Sequence, residues 1–492
     1  MGSGDRFGSG VGGNREVLLV FPGKYKSLNP QIPLSLLYIA AALQDEGFEP
    51  RILDMRVEKH GASDIGNPVF VGITSMSGLQ IRYGLEFARK VRAENPSCPI
   101  VWGGVHPTLL PEQTASSEYV DFVVRGEGEA TITELADKLS HTRSFESVKG
   151  ITYKSHGRIV SNPDREFINL DELPPSLPYR LLHEDRYPSL KAGRIHVQTS
   201  RGCPHQCSFC YNSIFNKSKW RCKSATKVLS EIEQVVQEFP AVKCIDIVDD
   251  NFFVDKERVA KICAEKIKRG IETPWRANCR LDYMAGYSRN FIGLLEKSNC
   301  VELDFGAETG SKRLLSMIRK GVTADQMVQA VQNLRDAAPS IEPYVFWMSG
   351  FPTETEEDLR ETFELIDELH RVNSKTQPVE AYVYTPFPSP LSDWLKPEFE
   401  TPKTLENWGN IDVFHFKPPW HTPEYLALLE TVSAVMRHAF YPEKRIKELP
   451  LQYRVGYWFL NRMSRFRWRH KYFGLPFELR MASGLTRKLR GY

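Results

Sequence analysis

The sequence predicts an α/β protein: a doubly wound parallel sheet, then a second strand–helix series of longer units, then a helical C-terminal region. Two observations carry that expectation. Between residues 16 and 139, short apolar runs alternate with segments of helical period, as in a parallel sheet covered on both faces. The alternation resumes beyond a proline-rich break and gives way, after residue 395, to basic and aromatic sequence. The expected divisions are a disordered tail (1–15), a first domain (16–145), a hairpin and linker (146–190), a second domain (191–395) and a helical C-terminal region (396–492).

Glu16-Val-Leu-Leu-Val-Phe21 is an apolar run ending in Pro22-Gly23, so it reads as a buried strand followed by a loop. Residues 34–46 have helical period and stop at Gly47. Segments 51–54, 69–74, 99–103 and 122–124 read as further strands and 80–95 as a helix. In such sheets ligands sit beyond the carboxyl ends of the strands. That edge carries Thr74, Ser75 and Ser77, then Gly103, Gly104, His106 and Thr108, then Gly126, Glu127, Gly128 and Glu129. All but His106 are small or acidic, and the glycines let a large flat ligand approach the backbone. No Gly-x-Gly-x-x-Gly follows the first strand, which speaks against a dinucleotide site. A flavodoxin-like domain without ligand is the other reading.

Residues 149–160 alternate apolar and polar around His156-Gly157, which predicts a hairpin. The proline-rich stretch 170–179 sustains neither helix nor central strand and reads as a linker. Strands are then expected at 195–199, 244–248, 274–278, 301–306, 344–348 and 381–384, each followed by a polar or glycine-rich loop, with a helix at 226–238. Gly350 and Pro352 are expected to shape a turn, with Glu354 capping the helix after it.

The composition, with 41% hydrophobic and 25% charged residues in 492, is that of a globular chain of roughly two to four domains. A net charge of +3 gives no global signal for nucleic acid. Nine cysteines, an odd number scattered along a long chain, do not form a disulfide framework and suit a reducing cytoplasm. No run reaches the roughly 18 apolar residues of a membrane span. Met1–Asn14 is glycine- and serine-rich and reads as a disordered tail or cloning remnant rather than a signal peptide.

Cys203, Cys207 and Cys210 stand in Arg201-Gly-Cys-Pro-His-Gln-Cys-Ser-Phe-Cys-Tyr-Asn212, spaced C-x3-C-x2-C. Three thiolates hold three corners of a cubane iron–sulfur cluster whose usual complement is four, which leaves one iron open to a small molecule. Phe209 and Tyr211 would shield the cluster and offer a flat surface to an aromatic base. The competing reading is a zinc knuckle, for which His205, lying between two ligands, is poorly placed to supply the fourth corner.

At this loop the chain resembles the radical S-adenosylmethionine superfamily, whose C-x3-C-x-aromatic-C motif is met by Cys203, Cys207, Phe209 and Cys210. Residues 16–139 resemble the cobalamin-binding domain of one branch of that superfamily, on the loops 103–108 and 126–129. The histidine motif D-x-H-x-x-G of other cobalamin proteins is absent, since Pro22-Gly-Lys-Tyr-Lys-Ser27 follows the first strand. The resemblance implies a Rossmann-like cobalamin-binding domain, a partial (β/α)6 TIM-like barrel, and three cofactors: a [4Fe–4S] cluster, S-adenosyl-L-methionine and cobalamin. It implies a class B methyltransferase or a relative of the anaerobic cyclases of this branch, served by an external electron donor such as flavodoxin or ferredoxin. A zwitterionic sulfonium ligand needs acids, hydroxyls and a cation; Glu308, Ser311 and Arg280 supply these types, and Asp249, Asp250 and Asn251 are further candidates. Ser311 also suits a helix cap.

From Arg462 to Arg490 nine Lys or Arg face one acid, Glu478, interleaved with Phe466, Trp468, Tyr472, Phe473 and Phe477. Such a mixture suits a membrane surface or an anionic partner, or else a solvated face on helices packed against a barrel. Tyr453, Tyr457, Trp458 and Phe459 suggest a cavity for an apolar substrate: a lipid, terpenoid, tetrapyrrole or natural-product scaffold. A non-catalytic cobalamin-binding regulator would make no 5'-deoxyadenosine, and a nucleic-acid modifier would bind in a steeply salt-dependent way; no RNA-binding module is evident.

Overall fold

The computed structural model describes residues 14–27, 30–59, 64–174, 176–391, 399–413, 415–442, 446–447, 450–474 and 478–479. The expected tail, except for its last residues, and the basic stretch 480–490 lie outside them. The chain divides into two compact units, the first drawn from Met1–Pro274, Pro386–Asp393 and Glu400–His415, the second from Trp275–Thr385, Trp394–Phe399 and Phe416–Tyr492.

The first unit holds a seven-stranded sheet of β1 (Glu16–Phe21), β2 (Glu49–Asp54), β3 (Val71–Thr74), β4 (Ile100–Gly103), β5 (Phe122–Val124), β6 (Ile151–Ser155) and β7 (Arg158–Ser161), in the order β2-β1-β3-β4-β5-β6-β7. β1 to β5 pair in parallel. Val17, Leu18, Leu19 and Val20 are all buried, because helices cover both faces and no side of the strand meets water. The strand order turns back at β1, whose neighbours are β2 and β3. Such a reversal opens a crevice at the carboxyl ends of the strands.

The expected hairpin forms around His156 and Gly157, both at positive φ (48° and 76°), the conformation of a type I′ turn. Its position is new: β6 pairs antiparallel with β5, so the hairpin extends the parallel sheet and covers its edge. The segment read as a loop after β4 contains two short helices, Val105–Leu109 and Pro111–Ser116. Neither is long enough to show helical period in sequence.

The second strand–helix series begins in the first unit. β8 (Arg194–Val197) leads into β9 (Ser200–Arg201), which pairs antiparallel with β10 (Arg221–Cys222); helix Ala225–Glu238, capped by Ser224, follows, and β11 (Cys244–Ile247) lies parallel to β8. The second unit holds β12 (Trp275–Cys279), β13 (Cys300–Glu308), β14 (Glu342–Ser349) and β15 (Gln377–Val383), each parallel to the next. Three of the helices between them begin at side-chain caps: Ser288, Thr323 and Thr355. Thr355, with Asp358 completing the box, takes the capping place expected of Glu354. Glu354 instead turns back to accept from the Gly350 backbone N–H, and burial pushes its carboxyl up to about 8. The region after 416 is helical, with Pro423–Ala439 and Leu451–His470. Among the described residues no helix is long and apolar enough to cross a membrane.

Candidate active site

A cavity of about 430 Å³ opens at the carboxyl edge of the first sheet, a size common for ligand pockets. Its wall includes Thr74, Ser75, Gly103, Gly104, Gly126, Glu127, Gly128 and Glu129, eight of the eleven residues that the sequence placed at this edge. Gly104, at φ 97°, has Thr74 Oγ1 2.8 Å from where a Cβ would stand, so no side chain fits. Gly126, at φ 69°, would point a Cβ into space with no atom within 4 Å. The Ser75 hydroxyl is buried in this wall without a hydrogen-bond partner. Bare backbone, open space and an unsatisfied hydroxyl fit a broad ligand with polar side groups.

Ser77, His106 and Thr108 lie outside that wall. Ser77 Oγ meets His106 Nδ1 at 2.7 Å, and the His106 ring packs edge-on against Trp408. Burial lowers the imidazole to about 3, so it is neutral. Thr108 Oγ1 accepts from the Gly126 N–H at 2.9 Å and donates to the Gly104 carbonyl at 2.8 Å, tying two glycine loops together.

The same cavity is lined from the other side by Gln198, Arg201, Tyr211, Phe215, Asn216, Val248 and Asp250. Thus the cysteine loop and the sheet edge share one space inside the first unit. The loop is held from below by Asp249, fully buried, whose carboxylate accepts from Thr199 N, Thr199 Oγ1 and Ser200 Oγ, each at 2.6 Å. Burial raises this carboxyl, against those hydrogen bonds. Asp249 therefore spends both oxygens inside the fold, whereas Asp250 faces the cavity while its Oδ2 accepts from Gly202 N at 3.0 Å. Asn251 Nδ2 donates to Cys203 Sγ at 3.7 Å. Burial pushes the Cys210 thiol up to about 12, with Cys207, Asp250 and Cys203 adding to it. Tyr211 lines the cavity beside it; Phe209 is half-buried outside the lining. Among the described residues no three His, Cys, Asp or Glu side chains surround a single point as a one-ion site demands. A cubane asks for something else, one thiolate on each of three irons.

Gly202, at φ 87°, is a strict requirement: a Cβ there would stand 2.1 Å from the Lys219 carbonyl oxygen. Gly202→Ala is expected to displace the adjoining Cys203 and cost about 1–3 kcal/mol. Iron content after anaerobic reconstitution, measured beside the melting temperature, checks this.

Arg201 binds the cysteine loop to the sheet edge, and sequence reasoning missed it. Its Nη1 reaches Glu127 Oε1 at 2.9 Å, Nη2 reaches Glu129 Oε1 at 2.6 Å, and Nε reaches Gln198 at 2.9 Å. β9 and β10 set Arg201 directly opposite Arg221, an unfavourable pairing of like charges. Glu127 relieves it by also accepting from Arg221 Nη1 at 2.9 Å. Burial opposes the charge on Arg201, and the two carboxylates outweigh that and raise its pKa. Behind it, buried Lys223 donates to Glu231 at 2.5 Å and to the Tyr38 hydroxyl at 2.9 Å. The available signal was charge: two acids in Gly126-Glu-Gly-Glu129, beside an apolar sheet, need cations.

In the second unit Arg280 and Glu308 converge on one residue. Arg280 Nη2 donates to the Lys320 carbonyl at 2.8 Å, and Lys320 Nζ donates to Glu308 Oε1 at 2.7 Å. Glu308 sits at φ 66°, where β13 slips register against β14; a non-glycine residue held there is uncommon. Ser311 stands apart. It caps helix Lys312–Met317 and donates to Asp358 at 2.6 Å, so its hydroxyl is committed within the fold.

Comparison with known proteins gives two family matches: the B12 binding domain over residues 26–136 and the Radical SAM superfamily over residues 197–366. The chain is 32% identical over 369 residues to an uncharacterized methyltransferase of Pyrococcus horikoshii, covering 72% of this chain and 78% of that one. It is 25% identical over 395 residues to the anaerobic magnesium-protoporphyrin IX monomethyl ester cyclase of Rubrivivax gelatinosus, covering 78% and 67%. Among solved structures, the cobalamin-dependent S-adenosylmethionine radical enzyme OxsB, with aqua-cobalamin and S-adenosylmethionine bound, aligns at a TM-score of 0.74 and 16% identity, covering 97% of this chain and 76% of that one. The radical S-adenosylmethionine methyltransferase TsrM of Kitasatospora setae aligns at 0.64 and 21%, covering 76% and 75%. At those identities the likeness to both structures is one of fold.

Proposed function

This chain belongs to the cobalamin-binding branch of the radical S-adenosylmethionine superfamily, and on that premise we propose that it abstracts hydrogen from an unactivated carbon of a small molecule and delivers a methyl group there. It is an enzyme whose cofactors are a [4Fe–4S] cluster, S-adenosyl-L-methionine and cobalamin. When bound, these supply an electron drawn from an external donor, a 5'-deoxyadenosyl radical and a methyl carrier. Cys203, Cys207 and Cys210 hold the cluster. Gly103, Gly104, Gly126 and Gly128 would present bare backbone to the corrin, with open space at Gly126, and the Ser75 hydroxyl and Gln198 would meet its polar side groups. Arg280 and Glu308 are assigned to the carboxylate and amino groups of the sulfonium ligand.

One observation carries this reading: side chains of the cysteine loop and glycines of the sheet edge line the same cavity. A methyl carrier and a radical source must both reach one substrate carbon, and a shared chamber permits it. Gly126→Asn tests the corrin assignment, because asparagine tolerates positive φ yet fills the open space. Cobalamin retained after gel filtration is expected to fall about tenfold or more, with iron content unchanged; equal retention removes Gly126 from the site.

Similarity to the magnesium-protoporphyrin cyclases favours a second reading, radical ring closure without methyl transfer. Product mass separates the two, since methylation adds one CH2 unit and cyclisation removes hydrogens. The experiment is anaerobic reconstitution, spectra for cluster and corrinoid, and mass analysis against lipid, terpenoid, tetrapyrrole and other natural-product candidates. Reduced, reconstituted protein that forms no 5'-deoxyadenosine refutes both.

A further inference from the structure

Helix Leu451–His470 is turned inside out. Its buried side chains are Leu460, Asn461, Ser464, Arg467 and Trp468, three of them polar. They are held by polar contacts: Asn461 Nδ2 donates to the His438 carbonyl at 2.6 Å, Trp468 Nε1 donates to Asp367 at 2.6 Å, and the Arg467 fork grips buried Glu478. The opposite face carries Leu451, Val455, Trp458, Phe459 and Phe466, exposed by 76, 75, 52, 52 and 54%. Spacings of three, four, seven and eight put these on one stripe along with Arg462. A helix in contact with water alone keeps such a stripe inward, and an exposed one marks a surface that meets an apolar partner.

The chemistry of that partner is set by what lies between the apolar groups. Arg454, Arg462, Arg465 and Arg469 are exposed, and the helix contains no acid. The Arg462 guanidinium stands 5.5 Å from the centre of the Trp458 ring, an arrangement in which the cation shares the aromatic's depth. A second copy across a two-fold axis would set this arginine-rich stripe against itself. An anionic bilayer surface takes both components at once, with aliphatic and aromatic side chains at the acyl boundary and guanidinium groups among the phosphates. The helix is not apolar enough to cross.

We propose that helix Leu451–His470 docks the protein on the surface of an anionic lipid bilayer. The inference concerns where the enzyme works and is independent of which reaction it performs. The test is co-sedimentation of the full chain with phosphatidylcholine vesicles, with and without phosphatidylglycerol. Binding is expected with phosphatidylglycerol and to be weakened by salt. The triple variant Trp458→Ser/Phe459→Ser/Phe466→Ser should bind about tenfold or more weakly, with an unchanged melting temperature because these groups are exposed. Arg462→Gln/Arg469→Gln should lose about fivefold per charge and much of the salt dependence. No binding to phosphatidylglycerol vesicles, or wild-type binding by both variants, overturns the proposal. So does a wild-type dimer that the triple variant makes monomeric without vesicle binding, or capture of RNA in place of vesicles.

Discussion

Replacing Cys207 with alanine is expected to abolish 5'-deoxyadenosine formation outright and reduce iron and sulfide after reconstitution to background, while bound cobalamin stays at the wild-type level. The asymmetry follows from how the cavity is built. The glycines proposed to face the corrin lie at the carboxyl edge of the first sheet, whereas the three cysteines stand on the loop after β9, whose start is tied down by Asp249 at Thr199 and Ser200 and by Asp250 at Gly202. A cubane on two remaining thiolates has lost a third of its protein ligation, and the exchange removes little volume, so the fold should change by less than about 1.5 kcal/mol. Cys203→Ala and Cys210→Ala should behave alike. Elemental analysis, a visible spectrum and chromatography of the nucleoside check all three. Zinc at full occupancy in anaerobically purified wild-type protein, or undiminished iron in the variants, refutes the cluster assignment.

The second large effect is expected from Arg201→Gln. Glu127 keeps Arg221, but Glu129, buried and bonded to Arg201, is left without its nearest cation. Removing one member of a buried pair costs about 3–5 kcal/mol, because the other stays desolvated and uncompensated. Arg201→Lys should recover part of this, since it restores charge without the fork that spans two carboxylates. The acid limb adds a sharper check. Burial alone would raise the Glu129 carboxyl, but attraction and a hydrogen bond from Arg201 outweigh it and hold the pKa below its ordinary 4.5. A carboxyl depressed in the folded state stabilises the fold above its unfolded value and loses that contribution as pH falls through the folded one. In Arg201→Gln the depression is gone and burial dominates. The stability gap between the two proteins should therefore begin to narrow above pH 4.5, as the raised carboxyl of the variant takes up its proton, and go on narrowing below it as the depressed wild-type carboxyl does. Denaturant midpoints measured at several pH values would show it, and a constant gap would place the stabilisation elsewhere.

Much of the site was legible because its chemistry is local. Cys203, Cys207 and Cys210 are close in sequence, and small residues at the ends of apolar runs mark a ligand edge wherever strands are parallel. Eight of the eleven edge residues line the cavity for that reason. Of the other three, Ser77 and Thr108 were indistinguishable by residue type, and His106 differed from its neighbours without its type saying which way it would face. Two short helices after β4 turn His106 behind the wall, and helices of five or six residues leave no periodic trace. Glu354 misled in a similar way, since an acid before a helix suits its positive end, yet Thr355 reached the free N–H groups first.

Periodicity and motif spacing alone determined the alternation of strands and helices, the hairpin turn at His156-Gly157, and a cysteine loop one ligand short of saturating a cubane. Those are properties of neighbours along the chain, where propensity and spacing act directly. Only the tertiary structure decided that the hairpin adds to the first sheet, that Asp249 supports while Asp250 faces the cavity, and that Arg201 joins the cysteine loop to Glu127 and Glu129. It also decided that the last long helix points its arginine-flanked aromatics outward. Each of these depends on which distant groups share a low-dielectric interior, and burial, unlike period, is settled only when the whole unit has closed around them.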